Sequence, residues 1–292
     1  MDLSTKHSSV SALFDAQHAL VEKWPESDSF RLTDDQLAQY EELGYVSGVR
    51  VFTEKQCDVL CEQLAELSNP DHIHNHLFYE FNSNESEDPD RVLFHALGAW
   101  RVASGFHDSL WNPAFTIPAS QILGGAVRFW HDQLFSKPAH NGSVIAWHQD
   151  YSYWTRTQPL NHLTCWIGLD KSTEANGCLQ YIPGSHKWDL LPITGLAGDM
   201  DAIQTVLSDE QKAAFNPVSI EMKRGEASFH HPLLVHGSYE NNSEFSRRAL
   251  VINTVLDGVY SDTNEVLLQG VPVVPKGEAL DGQFFPMLYE PA

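Results

Sequence analysis

Positive charge is scarce in this chain of 292 residues: 18 Lys and Arg stand against 39 Asp and Glu, a formal net charge of −21. Nucleic acid demands a basic surface for its phosphates, so the balance argues against that class of partner. It also disfavours anionic membranes. The charge itself reads as solubility. No run is long and apolar enough to cross a bilayer. Met1 to Val10 is polar and has no apolar stretch ahead of a small-residue cleavage site, so no secretory leader is expected. Cysteine is rare too: Cys57, Cys61, Cys165 and Cys178 form no CxxC pair and no disulfide framework. A reducing cytoplasm is the expected compartment. There is no internal repeat and no low-complexity tract.

What remains is an ordinary globular composition, 42% hydrophobic, with enough length for one large domain over 1–292. Residues 1–124 read as mostly helical support. Residues 1–31 suggest a helix and linker with Ala12, Leu13, Ala16 and Leu20 on one face. Thr33 with Gln36 and Thr53 with Gln56 form capping boxes, each opening a helix. Gly44 ends the first of these, and a short strand, Tyr45 to Val51, lies between them. Asn69-Pro70 stops the second. Residues 71–91 are polar and read as an exposed loop ending in the acidic run Asn84 to Asp90.

From about 125 the pattern changes to short β-rich segments: Ala126–Phe135, Val144–His148, Leu163–Leu169, Cys178–Ile182, Val218–Met222, Ala227–His230 and Ala249–Leu256. Turn signals such as Asn141-Gly142, Asn176-Gly177 and Pro183-Gly184 separate them. Many short strands so punctuated predict a sandwich or barrel over 125–260. A helical insertion interrupts it at 189–216, where Ser208 and Gln211 cap a short helix.

The chemistry concentrates in Trp147-His148-Gln149-Asp150. Residues i and i+2 of a strand project to one face, so His148 and Asp150 can offer an imidazole and a carboxylate to one metal. His236 can add a second imidazole from a distant strand. Two His and one carboxylate on one octahedral face leave three open positions, the arrangement of non-haem iron(II) oxygenases. Those positions suit a bidentate oxoacid and oxygen. Eleven residues after His236 comes Arg247, whose guanidinium can clamp a carboxylate through two parallel hydrogen bonds.

These residues resemble the phytanoyl-CoA dioxygenase-like branch of the iron/2-oxoglutarate oxygenases. The likeness is carried by Gln133 to Pro138, Trp147 to Asp150, Asn176 to Leu179, Pro183 to His186, His236-Gly237-Ser238, Asn241 and Arg247-Arg248-Ala249. It extends weakly to Leu32–Leu67. It implies a double-stranded β-helix, the cupin-like jelly roll, mainly β with flanking helices. It implies His148, Asp150 and His236 as ligands of Fe(II), and Arg247 as the anchor of the 2-oxoglutarate cosubstrate, assisted by Gln149, Trp166 and Ser238. Arg248 is the rival anchor, but alternation puts the two arginines on opposite faces. The family's upstream lysine has no evident match; Arg101 and Lys137 are the candidates. The implied reaction consumes O2, converts 2-oxoglutarate to succinate and CO2, and hydroxylates a small molecule. The retained carboxylate of Asp150 disfavours halogenation.

Competing readings attach to several of these residues. His148 and Asp150 could be a surface pair, and His236 a core histidine with His230 and His231 as rivals. Gly237-Ser238 after His236 favours it as the ligand. His186 resembles the family's turn histidine and reads as structural. His72, His74 and His76 look like a metal site but sit in a polar loop. Tyr151, Tyr153 and Trp154 either line a substrate pocket or pack the core; Arg101 and Gln133 are further pocket candidates. A zinc hydrolase or isomerase on the same barrel would need no oxoacid clamp, and a non-catalytic ligand-binding barrel would need no triad. A CoA-linked substrate is not expected, because 18 scattered basic residues offer no cluster for its phosphates. The sequence leaves the oligomeric state open.

Overall fold

The computed structural model describes residues 1–14, 30–86, 88–196 and 198–291. Its helices are α1 (Asp34–Leu43), α2 (Glu54–Leu67), α3 (Ser104–Ser109), α4 (Pro113–Leu123) and α5 (Asp209–Ala214). Both expected capping boxes form: the Thr33 and Thr53 hydroxyls each accept from the N3 backbone, and Gln36 and Gln56 return the bond. Gly44 ends α1 at φ 85°, in the left-handed region that favours glycine. A Cβ there would lie 2.5 Å from the His186 ring. His186 Nε2 meanwhile lies 3.2 Å from the Glu41 carbonyl oxygen, so the turn histidine clasps the end of α1, a structural role.

The strands are β1 (Tyr45–Arg50), β2 (Glu80–Asn82), β3 (Phe94–Leu97), β4 (Val127–Lys137), β5 (Ile145–His148), β6 (Thr157–Gln158), β7 (His162–Gly168), β8 (Leu179–Tyr181), β9 (Val218–Ile220), β10 (Glu226–His230), β11 (His236–Ser238), β12 (Arg247–Leu256), β13 (Tyr260–Ser261) and β14 (Met287–Tyr289). A large sheet runs β1-β10-β7-β12-β4-β3-β2, with β14 added to β4. A smaller one runs β5-β11-β8-β9. Trp166, Ala249 and Val251 of the large sheet pack against Leu179, Tyr181 and Ile220 of the small one. Leu250, Ile252, Cys165 and Ile167, on the opposite face, pack against Leu60, Leu64, Phe106 and Phe115 of the helices. Alternation along β7 and β12 thus feeds two cores, one between the sheets and one beneath the helices. This is a double-stranded β-helix with flanking helices.

Some local expectations change. The N-terminal helix is not seen in its described part: Leu3–Thr5 is one 3-10 turn, and Ala12 and Leu13 lie in a bend and a turn. The amides of Val10 and Ser11 bond instead to the Asp108 carboxylate at 2.8 and 2.7 Å. Ala16 and Leu20 lie outside the described residues, as does Glu87 in the acidic run. The 71–91 loop contains a strand, because Glu80–Asn82 finds an open sheet edge on β3. The large sheet also takes in β1, β2 and β3 from before 125 and β14 from beyond 260. The 189–216 insertion packs Leu191, Ile203 and Leu207 onto Trp147, Ile182 and Val235, against the small sheet. Among the described residues no helix is long and apolar enough to cross a membrane.

Candidate active site

Strand β5 ends at His148, and β11 begins at His236 directly across from it. Asp150 opens the turn after β5. His148 Nε2 and His236 Nε2 lie 3.5 and 3.6 Å from Asp150 Oδ1. Each imidazole directs its other nitrogen to a backbone carbonyl: His148 Nδ1 to Ala146 at 2.8 Å, and His236 Nδ1 to Leu234 at 2.9 Å. A proton held on Nδ1 leaves the Nε2 lone pair facing the common centre, as a metal ligand requires. Burial, then the neighbouring His148, keeps His236 neutral by holding its pKa well below the ordinary value.

Asp150 is oriented from behind. Its Oδ2 accepts from Thr164 Oγ1 at 2.6 Å and lies 3.2 Å from His230 Nε2, which leaves Oδ1 for the centre. Burial opposes ionisation of this carboxyl, but the surrounding His236, His148 and His230 outweigh it and hold it well below the usual range. His230 thus supports Asp150 from the side away from the centre, and its Nδ1 in turn meets the Tyr181 hydroxyl at 2.9 Å. Two imidazoles with Nε2 turned to the centre and one carboxylate oxygen form a donor set that fits a facial iron(II) triad.

A cavity of about 470 Å³ opens over this centre. Arg247 lines it, fully buried. Its Nη2 donates to Ser238 Oγ at 3.1 Å, but Nε and Nη1 have no partner. A buried cation with unmet donors is costly unless an anion satisfies it, and a carboxylate can accept from a guanidinium's free N–H groups. Burial lowers this guanidinium to about 10, so it stays charged at neutral pH. Its carbon sits 5.4 Å over the Trp166 ring. Lys137, opposite Arg247 in the β4–β12 register, is also buried. It donates to Ser238 Oγ at 2.6 Å and to the Tyr239 carbonyl at 2.6 Å, so it braces the hydroxyl that Arg247 uses. Arg248 points the other way, forked onto Asp170 at 2.7 and 2.8 Å.

Three expected site residues lie elsewhere. Gln149 does not reach the cavity: its Nε2 donates to the Leu233 carbonyl at 2.9 Å, and its Oε1 accepts from the Leu191 amide at 2.7 Å. As residue i+1 of the motif it faces away from the ligands, and it ties down the insertion. Tyr151 is buried, with its hydroxyl donating to the Thr157 carbonyl. Arg101 is occupied by Asp2 and by the Leu77 carbonyl, apart from the cavity lining. By contrast Tyr153, Trp154, Gln133, Trp166 and Ser238 all line the cavity.

Sequence reading missed Thr164 as a support for Asp150, although its place two residues before Trp166 on β7 puts both on one face. It also missed a group at the cavity's far side, Glu80, Glu85 and His95, whose ligating atoms lie within 4.8 Å of one another; Glu80 and Glu85 come from the segment read as loop, and His95 from the part read as mostly helical support. His72, His74 and His76 meet in edge-to-face contacts, at 5.7 and 6.2 Å between ring centres, and form no metal-holding group among the described residues.

The family described as phytanoyl-CoA dioxygenase (PhyH) matches residues 40–249. A probable phytanoyl-CoA dioxygenase of Caenorhabditis elegans is 31% identical over 199 residues, 64% of this chain and 60% of that protein. L-proline trans-4-hydroxylase of Streptomyces griseoviridis is 28% identical over 190 residues, 57% of this chain and 70% of that protein. The chain spans about two fifths to three fifths of the length of the curated phytanoyl-CoA dioxygenases from the nematode and from Arabidopsis thaliana. Among solved structures, the epimerase SnoN in complex with Fe3+, alpha ketoglutarate and nogalamycin RO shares the fold, with a TM-score of 0.71, 19% identity, and 88% of this chain and 98% of that one covered. The match running from Tyr40 to Ala249 takes in the triad and Arg247, and the chain belongs to the phytanoyl-CoA dioxygenase family.

Proposed function

We propose that this chain is an iron(II)- and 2-oxoglutarate-dependent hydroxylase of a small molecule that carries no CoA. The observation that carries the reading is Arg247: a buried guanidinium with two unmet donors, lining the same cavity as a preorganised His148–Asp150–His236 triad. A zinc hydrolase on this barrel has no use for that cation.

Residues 1–292 act as one catalytic unit in this reading. His148 and His236 hold the metal through Nε2 and Asp150 through Oδ1. Arg247, steadied by Ser238 and Lys137, takes the distal carboxylate of 2-oxoglutarate, with Trp166 as its wall. When bound, iron and 2-oxoglutarate supply the oxidising power, consuming O2 and releasing succinate and CO2. Tyr153, Trp154 and Gln133 line the space left for substrate, and the two aromatic rings keep water from the centre. The similarity to L-proline trans-4-hydroxylase supports a compact substrate, as does a cavity of this size.

Succinate release, measured with iron or zinc and with or without 2-oxoglutarate, tests the reading. It predicts succinate with iron and 2-oxoglutarate together and none with zinc. Calorimetric titration of 2-oxoglutarate into the chain and into Arg247→Ala supplies a readout independent of turnover; equal binding by the two would overturn the assignment.

A further inference from the structure

The cavity is electrically lopsided. One side holds Arg247 over Trp166. Across it, Glu80 and Glu85 line the wall beside His95. His95 Nδ1 lies 3.2 Å from a Glu85 carboxylate oxygen, and its Nε2 lies 3.0 Å from Gln133 Oε1. The hydrogen bond from His95 is the main influence holding Glu85 below the usual carboxylate range. Glu80 accepts from the Asn82 side-chain amide at 2.8 Å and forms no ion pair among the described residues.

Strand register shows how the two sides are joined. Glu80 pairs with Leu97, Leu97 with Gln133, Gln133 with Val251, and Val251 with Trp166. All five line the cavity. They form one transverse row across the large sheet, from an acidic edge to the wall beneath Arg247.

Other cations near the cavity are committed. Arg156 lines it, but its guanidinium donates to the Val266 and Leu267 carbonyls at 2.5 and 3.1 Å. Arg247 is assigned to the oxoacid. Two carboxylates therefore face the substrate space with no free lysine or arginine to balance them among the described lining residues. Aromatic rings flank the same space, from Tyr79, Trp130, Tyr153 and Trp154. Trp130 is 3% exposed, and its Nε1 has no hydrogen-bond partner; neither has the buried Tyr153 hydroxyl. A wall that combines carboxylates, aromatic faces and unmet polar atoms suits an organic cation bearing one oxygen acceptor.

We propose that the Glu80–Glu85 side is a headgroup subsite for a protonated amine, so that the substrate is a small alkylammonium whose apolar body lies along the Gln133–Val251 row toward the metal. This rests on the proposed function for the position of the metal and oxoacid, and it adds the substrate's charge. A divalent ion is less well served, because two carboxylates and one imidazole leave most of its oxygen positions unfilled.

Calorimetry on the full chain at neutral pH tests the subsite with two matched probes, cyclohexylmethylamine and cyclohexanecarboxylate. The amine should bind and the carboxylate should not. Glu85→Gln and, separately, the exposed Glu80→Gln should each weaken the amine by about tenfold, the equivalent of one charge-assisted hydrogen bond. Both variants should keep wild-type affinity for 2-oxoglutarate, which shows that the fold is intact. Arg247→Ala should lose 2-oxoglutarate while still binding the amine. Failure of the amine to bind, equal binding of both probes, or wild-type amine affinity in both Gln variants would overturn the proposal. So would a second Mn²⁺ site that Glu85→Gln removes without changing amine affinity. Failure of the oxoacid reading would appear separately, as absent 2-oxoglutarate binding in the wild type.

Discussion

Lys137 and Arg247 face each other across β4 and β12, two buried basic side chains that share one hydroxyl, the Oγ of Ser238. The relationship is asymmetric. Lys137 has its donors met by Ser238 and Tyr239, whereas Arg247 keeps two donors unmet. Burial first, and Arg247 second, press the Lys137 ammonium well below its ordinary value. An anion at Arg247 would relieve both.

Arg247→Ala should therefore weaken 2-oxoglutarate binding by about 2–5 kcal/mol, the usual cost of removing one partner from a buried charged pair. Arg248→Ala should leave that binding unchanged, since its fork is committed to Asp170. It should cost stability by about 1 kcal/mol for a pair only partly exposed. Calorimetric titration of the two variants settles the ranking; the reverse order would move the anchor to Arg248.

Thr164→Val removes the hydroxyl that donates to Asp150 Oδ2 at 2.6 Å while keeping the shape of the side chain. Metal affinity should fall by about 10- to 100-fold, the range for supporting partners of metal ligands. His148→Ala should lose specific metal binding altogether. Competition against a chelator measures both. Unchanged affinity in Thr164→Val would mean that His230 alone orients the carboxylate.

Gln149→Leu separates two roles for a residue inside the motif. The side chain is 1% exposed and bonds Leu233 and Leu191. The variant should lose about 1–3 kcal/mol of stability through the stranded backbone groups and bind 2-oxoglutarate as the wild type does. A selective loss of 2-oxoglutarate affinity, with stability unchanged, would restore Gln149 to the cosubstrate site.

Acid should destabilise the fold through buried histidines. Burial lowers His162 from 6.5 to about 3 and His131 to about 4. Between those values and 6.5 the unfolded chain takes up protons that the folded chain refuses, so their effect is absent above 6.5 and grows as pH falls toward 4. Asp132 works the other way: burial raises it from 3.8 to about 7, so between those values the folded chain holds a proton that the unfolded chain has lost, and stability falls as pH rises from 3.8 until the loss is complete above 7. A single variant isolates one contribution. His162→Phe should lose less stability than the wild type between pH 7.5 and 5, measured by urea unfolding. Parallel losses would show that His162 does not stay neutral in the fold.

Much of this site was legible because strand periodicity fixes sides. Two residues apart on or beside β5 put His148 and Asp150 together, and one residue apart on β12 separated Arg247 from Arg248. The same rule, applied to Gln149, would have turned it away from the ligands; the family pattern suggested otherwise, and the geometry overrules it. The choice between pocket and core for Tyr151, and the place of Arg101, were hidden for a different reason. Their partners, the Thr157 carbonyl and Asp2, are fixed by chain folding, which no local pattern announces. Glu80 was hidden because an edge strand of three residues has too little length to show alternation. Its strand exists because β3 offers an edge, a fact of the assembled sheet rather than of the segment.

The attachment of the 189–216 insertion has a consequence for divergence. Gln149 holds Leu191 through its backbone amide, and Ala146 donates its own amide to the Leu196 carbonyl at 2.8 Å. Main-chain groups are the same in every residue type, proline's missing N–H aside. Side chains of this segment can therefore drift under mutation while its mooring to the strand that carries His148 persists. Leu196 also lines the cavity, so substitutions in this segment can reshape the cavity wall without disturbing the strand that carries His148.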